Sequence, residues 1–464
     1  MLTLGDMARS LGCRIPENAH LPVSGVSIDS RTVSGNMVFV ALKGEHVDGH
    51  RFVKEALKKE AAAAIVAKNA LLSLSPEDEK RIFRVENPLA ALQKAAADYR
   101  RRFSMPVIGI TGTNGKTTTK EMTAAVLSAG YRVAKTEGNQ NNHIGVPLNI
   151  LSWKKDDDVA VMEMGANHFG EIRDLCAVLK PTHGVITNIG KGHLEFFKDE
   201  AGVLRAKAEL LEALAPSGKA FLNGDDALLV SKKNEVPSTV TFGFSDNCDV
   251  RAVLLSREGA RLPAMRVNHV EIALTMPGRF NLYNALAALA VGMDLNVSLD
   301  TMSRKLAGFQ PVGKRMVCVR KYGIMMMDDT YNANPTSMGH ALRTLAEERD
   351  CRRRVAVLGD MLELGKSGHE AHQEIGRMVV ELGLDGFFGY GKGMRAAAEK
   401  ALSMGGRSVY HFESKQELVR KLNTWIRDGD AILVKGSRGM GMEDVVASLE
   451  KNVISLQDGP EDNG

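Results

Sequence analysis

Residues 111–119 read Thr-Gly-Thr-Asn-Gly-Lys-Thr-Thr-Thr, directly after the apolar run Pro106-Val-Ile-Gly-Ile110 and before a helical pattern. A buried strand, a glycine-rich turn and a helix start together make a phosphate cradle. Gly112 and Gly115 let the backbone bend so that the N–H groups from Gly112 through Thr113 and Asn114 to Thr118 can face an anion. The helix dipole adds to that attraction, Lys116 supplies a point charge, and the Thr117 hydroxyl suits Mg²⁺. The general nucleoside-triphosphatase pattern asks for Gly at position 110, where this chain has Ile110. The bland alternative is a surface turn between a strand and a helix. With both elements in place, the stretch implies ATP binding.

Composition bounds the rest. A chain of 464 residues is too long for one ordinary core, so two to four domains are expected. Its hydrophobic content of 44% and charged content of 25% are those of a globular protein that folds in water. A net charge of +4 is small for this length, and the basic clusters Arg100–Arg102 and Arg352–Arg354 are short and isolated, so no nucleic-acid partner is expected. Five cysteines are scattered without paired spacing, which fits a reducing compartment and neither a disulfide framework nor a zinc site. The N-terminus does not read as a signal peptide, and no uncharged run reaches the ~18 residues of a membrane span. A cytoplasmic monomer is the expectation.

Three segments separate on pattern, with expected domains at 1–86, 87–312 and 313–464. The first holds short β-like runs at 25–28, 37–42 and 63–66 around helical stretches. An Ala- and Arg-rich helix from Pro88 to Phe103 connects it to the second. There the runs Val159–Met164, Gly184–Ile189 and Lys219–Asn223 are nearly all apolar, which suits strands buried on both faces of a mostly parallel sheet, with a helix at Ala201–Leu214. The third segment repeats the rhythm with strands at Val355–Leu358, Gly386–Tyr390 and Ala431–Val434, and a helix opened by the capping box Ser414–Glu417. The tail Gln457–Gly464 is polar and acidic and reads as disordered.

Ligands of open α/β sheets sit at the carboxyl ends of strands. Glu163 and Asn188 fall at such ends, and His193 follows Gly190-Lys-Gly192. A carboxylate and an imidazole near Thr117 would make a cation site beside the phosphates; for Glu163 alone, a solvated strand end is as good a reading. Asn139, Asn141 and Asn142 lie in Gly-Asn-Gln-Asn-Asn-His-Ile-Gly-Val-Pro, residues 138–147. They read equally as a loop with left-handed residues and as amide hydrogen-bonders over the phosphates. Lys207 sits in an amphipathic helix, where a solvated lysine is the commoner fate. Leu364-Gly-Lys-Ser-Gly368 imitates the end of a phosphate loop, but position 360 is Asp, so a plain turn is expected.

Further stretches carry a resemblance. They are Ser27–Arg31 with Phe39–His50, then 138–147, Glu163–Glu171, Asp328-Asp-Thr-Tyr-Asn-Ala-Asn-Pro335 and Lys435-Gly-Ser-Arg438. Together with the short phosphate loop lacking its first Gly, they make the chain resemble the Mur ligase family over nearly its whole length. Residues 138–147, 163–171, 328–335 and 435–438 resemble the branch that adds D-alanyl-D-alanine. The resemblance implies an α/β, three-domain architecture, with a central phosphate-loop, parallel-sheet ATPase domain and a Rossmann-like C-terminal domain. It implies ATP and Mg²⁺ as cofactors, and UDP-N-acetylmuramoyl-tripeptide and D-alanyl-D-alanine as substrates.

By the same resemblance, Lys116 and the 112–118 backbone hold the phosphates, and Thr117, Glu163 and His193 matter for Mg²⁺. Lys207 matches the lysine that CO₂ converts to a carbamate. Asn281 and Asn284 would face the adenine, and Asp329 the ribose. Arg315 would reach the γ-phosphate, with Lys314 the alternative in Pro311-Val-Gly-Lys-Arg315. Ile28, Ser30, Arg31, Glu45, His46 and Val47 would line the uridine-diphosphate pocket. Asn142, Asn334, Lys435 and Ser437 would serve the peptide and dipeptide. The implied reaction is amide formation through an acyl phosphate, in peptidoglycan precursor synthesis. Two rivals share the ATP loop. A folylpolyglutamate-synthetase-like ligase should lack the Ser27–Arg31 pocket, and a nucleotide-hydrolysing switch would leave the outer segments without a role.

Overall fold

The computed structural model describes residues 1–255 and 262–455; the expectation for the tail Gln457–Gly464 lies outside the described residues. Its organising element is the strand Val107–Thr111, every residue of which is buried. That strand sits inside a nine-stranded sheet. From edge to edge the sheet runs Val270–Ala273, Ala264–Val267, Val250–Leu255, Ser238–Gly243, Lys219–Asn223, His183–Ile186, Val107–Thr111, Val159–Glu163 and Val133–Lys135. The seven strands from Val250–Leu255 onward pair in parallel, and the remaining edge is antiparallel.

Alternation along the central strands explains why both faces are apolar. Ile108, Ile110, Val159 and Val161 face the helices Lys116–Leu127 and Phe280–Asp294. Val107, Ala160 and Met162 join the other face, covered by Pro88–Arg100, Gly145–Leu151, Glu171–Leu179 and Glu200–Glu212. The chain leaves Val107–Thr111 with neighbours yet to be made on both sides, so a crevice opens at its carboxyl end.

Two smaller sheets flank this one. Gly25–Ser27, Met37–Val40, Ala63–Ala67 and Ile82–Val85 form a parallel sheet in sequence order. The last sheet runs Val317–Lys321, Ile324–Asp329, Asp430–Lys435, Arg353–Gly359, Gly386–Tyr390, Val409–Phe412, parallel except for its first hairpin. Ile82–Val85 and that hairpin went unread in the sequence. The first is only four residues long, and the hairpin turns on Tyr322 at φ 48° and Gly323 at φ 74° without the usual Asn-Gly signal. The connector helix is shorter than expected, ending at Arg100, and opens with Asn87 Oδ1 accepting the Leu89 and Ala90 N–H groups at 2.9 and 3.1 Å. At Ser414 only the serine bond, from Glu417 N–H at 3.4 Å, belongs to the expected box. Among the described residues, no helix is long and apolar enough to cross a membrane.

Candidate active site

The turn Gly112–Gly115 has the backbone its sequence demands. Gly112 lies at φ 141° and Gly115 at φ 79°, and a Cβ at these positions would come 2.1 Å from Thr187 Oγ1 and 2.2 Å from Asn284 Oδ1. Only glycine fits. Lys116 Nζ folds back onto the turn and donates to the carbonyls of Gly112 and Thr113 at 2.9 and 3.1 Å. Burial holds its ammonium below the usual lysine range, with the Arg315 charge adding to that and Glu163 opposing it. A half-buried cation with only weak carbonyl partners is a ready site for an anion.

Glu163, at the end of its strand, is buried and doubly held. Thr117 Oγ1 donates to Oε2 and Asn141 Nδ2 to Oε1, each at 2.7 Å. The carboxylate therefore stands next to the first helical turn of the phosphate loop, not in solvent. Lys207 is 2% exposed. Its Nζ donates to Ala166 O at 3.2 Å and lies 5.5 Å from the Phe197 ring centre. Burial, reinforced by Lys116, pushes its pKa down to about 7, against the pull of Glu171 and Glu209. The expectation of a solvated lysine fails here, because the helix Glu200–Glu212 turns this position inward.

The third sheet brings its own groups to the same crevice. Lys435 Nζ pairs with Asp329 Oδ2 at 2.6 Å and donates to Asn332 O at 2.8 Å. Arg315 stacks its guanidinium 3.5 Å from the Tyr331 ring centre. Lys314 is exposed and pairs instead with Glu443 at 3.3 Å, so of the two candidates Arg315 is the one in the crevice. Asn114, in the phosphate loop, and Asn334, capping the helix Pro335–Glu347, exchange amide hydrogen bonds of 2.8 and 3.4 Å. Lys191 N–H donates to Thr336 Oγ1 at 3.1 Å. His193 Nδ1 lies 2.6 Å from Glu363 Oε2, so this imidazole is held by the third domain.

Of these groups, Lys116, Thr117, Glu163, Arg315, Asp329 and Lys435 line one cavity of about 1120 Å³, with Asn114, Asn334 and His193, whereas Lys207, Lys191 and Glu363 are not part of its lining. It reaches from Asp329, Arg315 and Lys435, over Lys116 and Glu163, to Asn142, His143 and Gln93 of the connector helix. Among the described residues, no three His, Cys, Asp or Glu side chains form a ready metal cage. The donors beside Lys116 are a hydroxyl and a carboxylate, hard oxygens of the kind Mg²⁺ takes when phosphates complete its shell.

Three family profiles match in turn: the Mur ligase family catalytic domain at 22–100, the Mur ligase middle domain at 110–292, and the Mur ligase glutamate ligase domain at 314–438. The chain is 34% identical to the UDP-N-acetylmuramoyl-tripeptide–D-alanyl-D-alanine ligase of Bacillus subtilis, over 95% of this chain and 96% of that one. The Escherichia coli protein of the same name is also 34% identical, over 94% and 96%. The chain belongs to the Mur ligase family. A crystal structure of MurF from Acinetobacter baumannii superposes with a TM-score of 0.86, at 31% identity, covering 97% of this chain and 98% of that one. MurF ligase from Thermotoga maritima in complex with ADP gives 0.81, at 30% identity, covering 94% and 99%.

Within this Mur ligase, several residues singled out in the sequence stand apart from the main cavity. Ile28, Ser30, Arg31, Glu45, His46 and Val47 follow two adjacent parallel strands, Gly25–Ser27 and Met37–Val40, at their carboxyl edge. Arg31 is tied to Asp29 at 2.6 Å, and the buried Ser30 gives its carbonyl to Lys59 at 3.0 Å. Ser437 is not itself in the lining but stands directly behind it: its hydroxyl accepts from Leu362 N–H at 2.9 Å and donates to the carbonyl of the lining residue Ala333 at 3.1 Å. Asn284 and Asn281 line the cavity as a ladder beneath the phosphate loop, Thr119 Oγ1 to Asn284 at 3.2 Å, Asn284 to Asn281 at 3.0 Å, Asn281 to Pro277 O at 2.7 Å. Sequence reading missed Asp225 and Tyr283, which line the cavity with Tyr283 O–H donating to Asp225 at 2.9 Å. Asp225 lies just past the strand Lys219–Asn223, where the strand-end rule would have found it. Glu363 had no such signal.

Proposed function

We propose that this Mur ligase joins D-alanyl-D-alanine to UDP-N-acetylmuramoyl-tripeptide, consuming ATP. Full-length likeness to relatives bearing that name carries the reading, and the cavity offers room for ATP and the reacting ends of the two peptides. ATP phosphates fit the Gly112–Thr118 cradle, where a single added Cβ would collide and Lys116 waits on weak partners. The ribose falls to Asp329 and the γ-phosphate to Arg315. The UDP end belongs at the carboxyl edge of the first sheet, so the peptide crosses past Asn142 toward Lys116. The dipeptide amine arrives from the side of Asn334 and Lys435. The protein works as a cytoplasmic monomer.

Chemistry follows from charge. The terminal carboxylate of the tripeptide attacks the γ-phosphorus, ADP departs, and an acyl phosphate forms. The dipeptide amine then attacks the acyl carbon, the C–O bond to phosphate breaks, and the amine proton leaves to solvent. Two anions must meet in the first step, and Lys116 and Arg315 offset their repulsion with preorganised positive charge. Mg²⁺, held by Thr117 and Glu163, would neutralise phosphate oxygens further. Lys207, with a pKa near 7, holds a large share of free amine at neutral pH, the form that adds CO₂, and its carbamate would convert a repelling cation into an oxygen donor. Asn334 and Thr336, in contact with Asn114 and Lys191, supply a polar wall that keeps water from the acyl phosphate.

ADP formation is the test, with UDP-muramoyl-tripeptide plus D-alanyl-D-alanine in one arm and UDP-muramoyl-dipeptide plus a diamino acid in the other. Turnover in the first arm alone is expected. Turnover in the second alone would make this the preceding ligase of the pathway.

A further inference from the structure

Lys120 is fully buried, yet no part of the reaction above uses it. It lies one helical turn beyond Lys116. Its ammonium donates to Thr136 O at 2.7 Å and Gly138 O at 3.1 Å, and pairs with Glu121 Oε1 at 2.7 Å. Three acceptors match the three protons of an ammonium, so the charge is fully satisfied. A buried charge is a costly way to fill space, and packing alone would be better served by Met or Leu.

What the charge holds is the segment that wraps Glu163. Thr136 Oγ1 accepts the Glu163 N–H at 2.9 Å, and Asn141 Nδ2 donates to its carboxylate at 2.7 Å. Gly165 N–H returns to Asn141 O at 2.9 Å. The segment is fixed as well by Thr136 N–H, which donates to Val161 O at 3.1 Å, and by Asn149, whose side chain accepts from Glu137 N–H at 2.9 Å and donates to Gln140 O at 3.3 Å. Lys120 thus bolts the Asn-rich loop directly to the phosphate-loop helix, and Glu163 is gripped between that loop and Thr117.

We propose that Lys120 is a positioning residue of the site: through the 136–141 loop it sets the place of Glu163 relative to Thr117, and so the affinity for a divalent cation on the bound nucleotide. The inference rests on the nucleotide reading above. Its measurement is calorimetric binding of ADP with and without Mg²⁺, on wild type, Lys120→Met, Asn141→Ala and the double variant, with melting temperatures as a check on folding. Lys120→Met should bind ADP alone within about threefold of wild type and lose about ten- to a hundredfold of the Mg²⁺-linked gain, the scale of an outer-sphere defect. The double variant should be no worse than Asn141→Ala, because both act through one loop. A Lys120→Met protein that keeps the full Mg²⁺-linked gain, or losses that multiply in the double variant, would overturn the proposal. Should Lys120→Met fail to fold, Lys120→Gln keeps a donor for the Thr136 carbonyl without the charge, and the same two results decide. Wild-type protein that binds no ADP would instead sink the nucleotide reading itself.

Discussion

Individual side chains divide by whether their partners are near in sequence. Lys116 was legible because the loop supplies its partners within four residues, and Thr117 because it follows that lysine in the motif, although its partner Glu163 lies 46 residues away. Lys116→Ala should lower kcat by at least ~10²-fold, the usual consequence of removing a preorganised charge, and a folded variant with near-normal turnover would refute the assignment. Lys207 was the opposite case. Its helix looks amphipathic, and only the tertiary fold shows the position 2% exposed against Ala166 and Phe197. Lys207→Arg cannot form a carbamate and imposes a permanent charge where burial favours the free amine, so it should fold but melt below wild type and be inactive. An active Lys207→Arg enzyme would mean the lysine serves packing alone. His193, read in the sequence as a cation ligand, does line the cavity, and its other contact, to Glu363, spans 170 residues that no local pattern announces.

Elements were more legible than their joints. The central strands announce themselves because burial on both faces demands near-continuous apolar runs, and their ends came within three residues of expectation. The short strand Ile82–Val85 carries Arg84 mid-run, which breaks the pattern that length would otherwise supply. The imitation loop Leu364–Gly368 proves to be a 3₁₀ turn, Gly365–Ser367, ahead of the helix Gly368–Glu381, and Lys366 is exposed outside the cavity. Joints depend on polar pairs that sequence cannot place. One is Asp6, in the first helix, bound by Arg102, just past the connector helix, at 2.7 Å and by Arg9 at 2.7 Å. The Arg102 guanidinium holds the Asp6 carboxyl well below the usual carboxylate range, outweighing burial, with Arg9 and Thr3 assisting. Because the folded pKa is depressed, the stabilisation is present above the unfolded value near 4 and is lost as pH falls below it. Asp6→Asn should therefore cost about 1 kcal/mol at pH 7, since both arginines are partly solvated, and the deficit should shrink in urea melts repeated at about pH 3. A deficit unchanged across that range would mean the carboxylate charge contributes nothing.

At the scale of the whole molecule, the two junctions differ in kind. The first and second sheets share one apolar cluster, in which Leu4, Val38, Ile65 and Phe83 continue through Leu92 and Tyr99 to Trp153 and Ile172. The third sheet has clusters of its own. Apart from Phe280, which packs on the third sheet's core and against the His340 ring, it meets the middle domain through polar pairs: Asn114 with Asn334, Lys191 with Thr336, His193 with Glu363. Polar junctions of this kind permit relative motion, whereas a continuous core does not. Gly313, Lys314 and Met316, at φ 68°, 55° and 53°, make the link between them an irregular joint. ATP with the UDP substrate should then compact the molecule, seen as a smaller radius of gyration in small-angle scattering. The Asn114–Asn334 exchange gives this motion a specific readout, because one partner belongs to the phosphate loop and the other opens a helix of the moving domain. Asn334→Ser keeps a good helix cap but withdraws the donor to Asn114. It should leave the melting temperature and ADP affinity near wild type, reduce kcat/KM by roughly 3- to 10-fold, the worth of one neutral hydrogen bond, and weaken the ligand-induced compaction. If turnover falls while compaction is untouched, Asn334 acts on the dipeptide and not on closure. Unchanged kinetics and unchanged compaction would remove the residue from the site altogether.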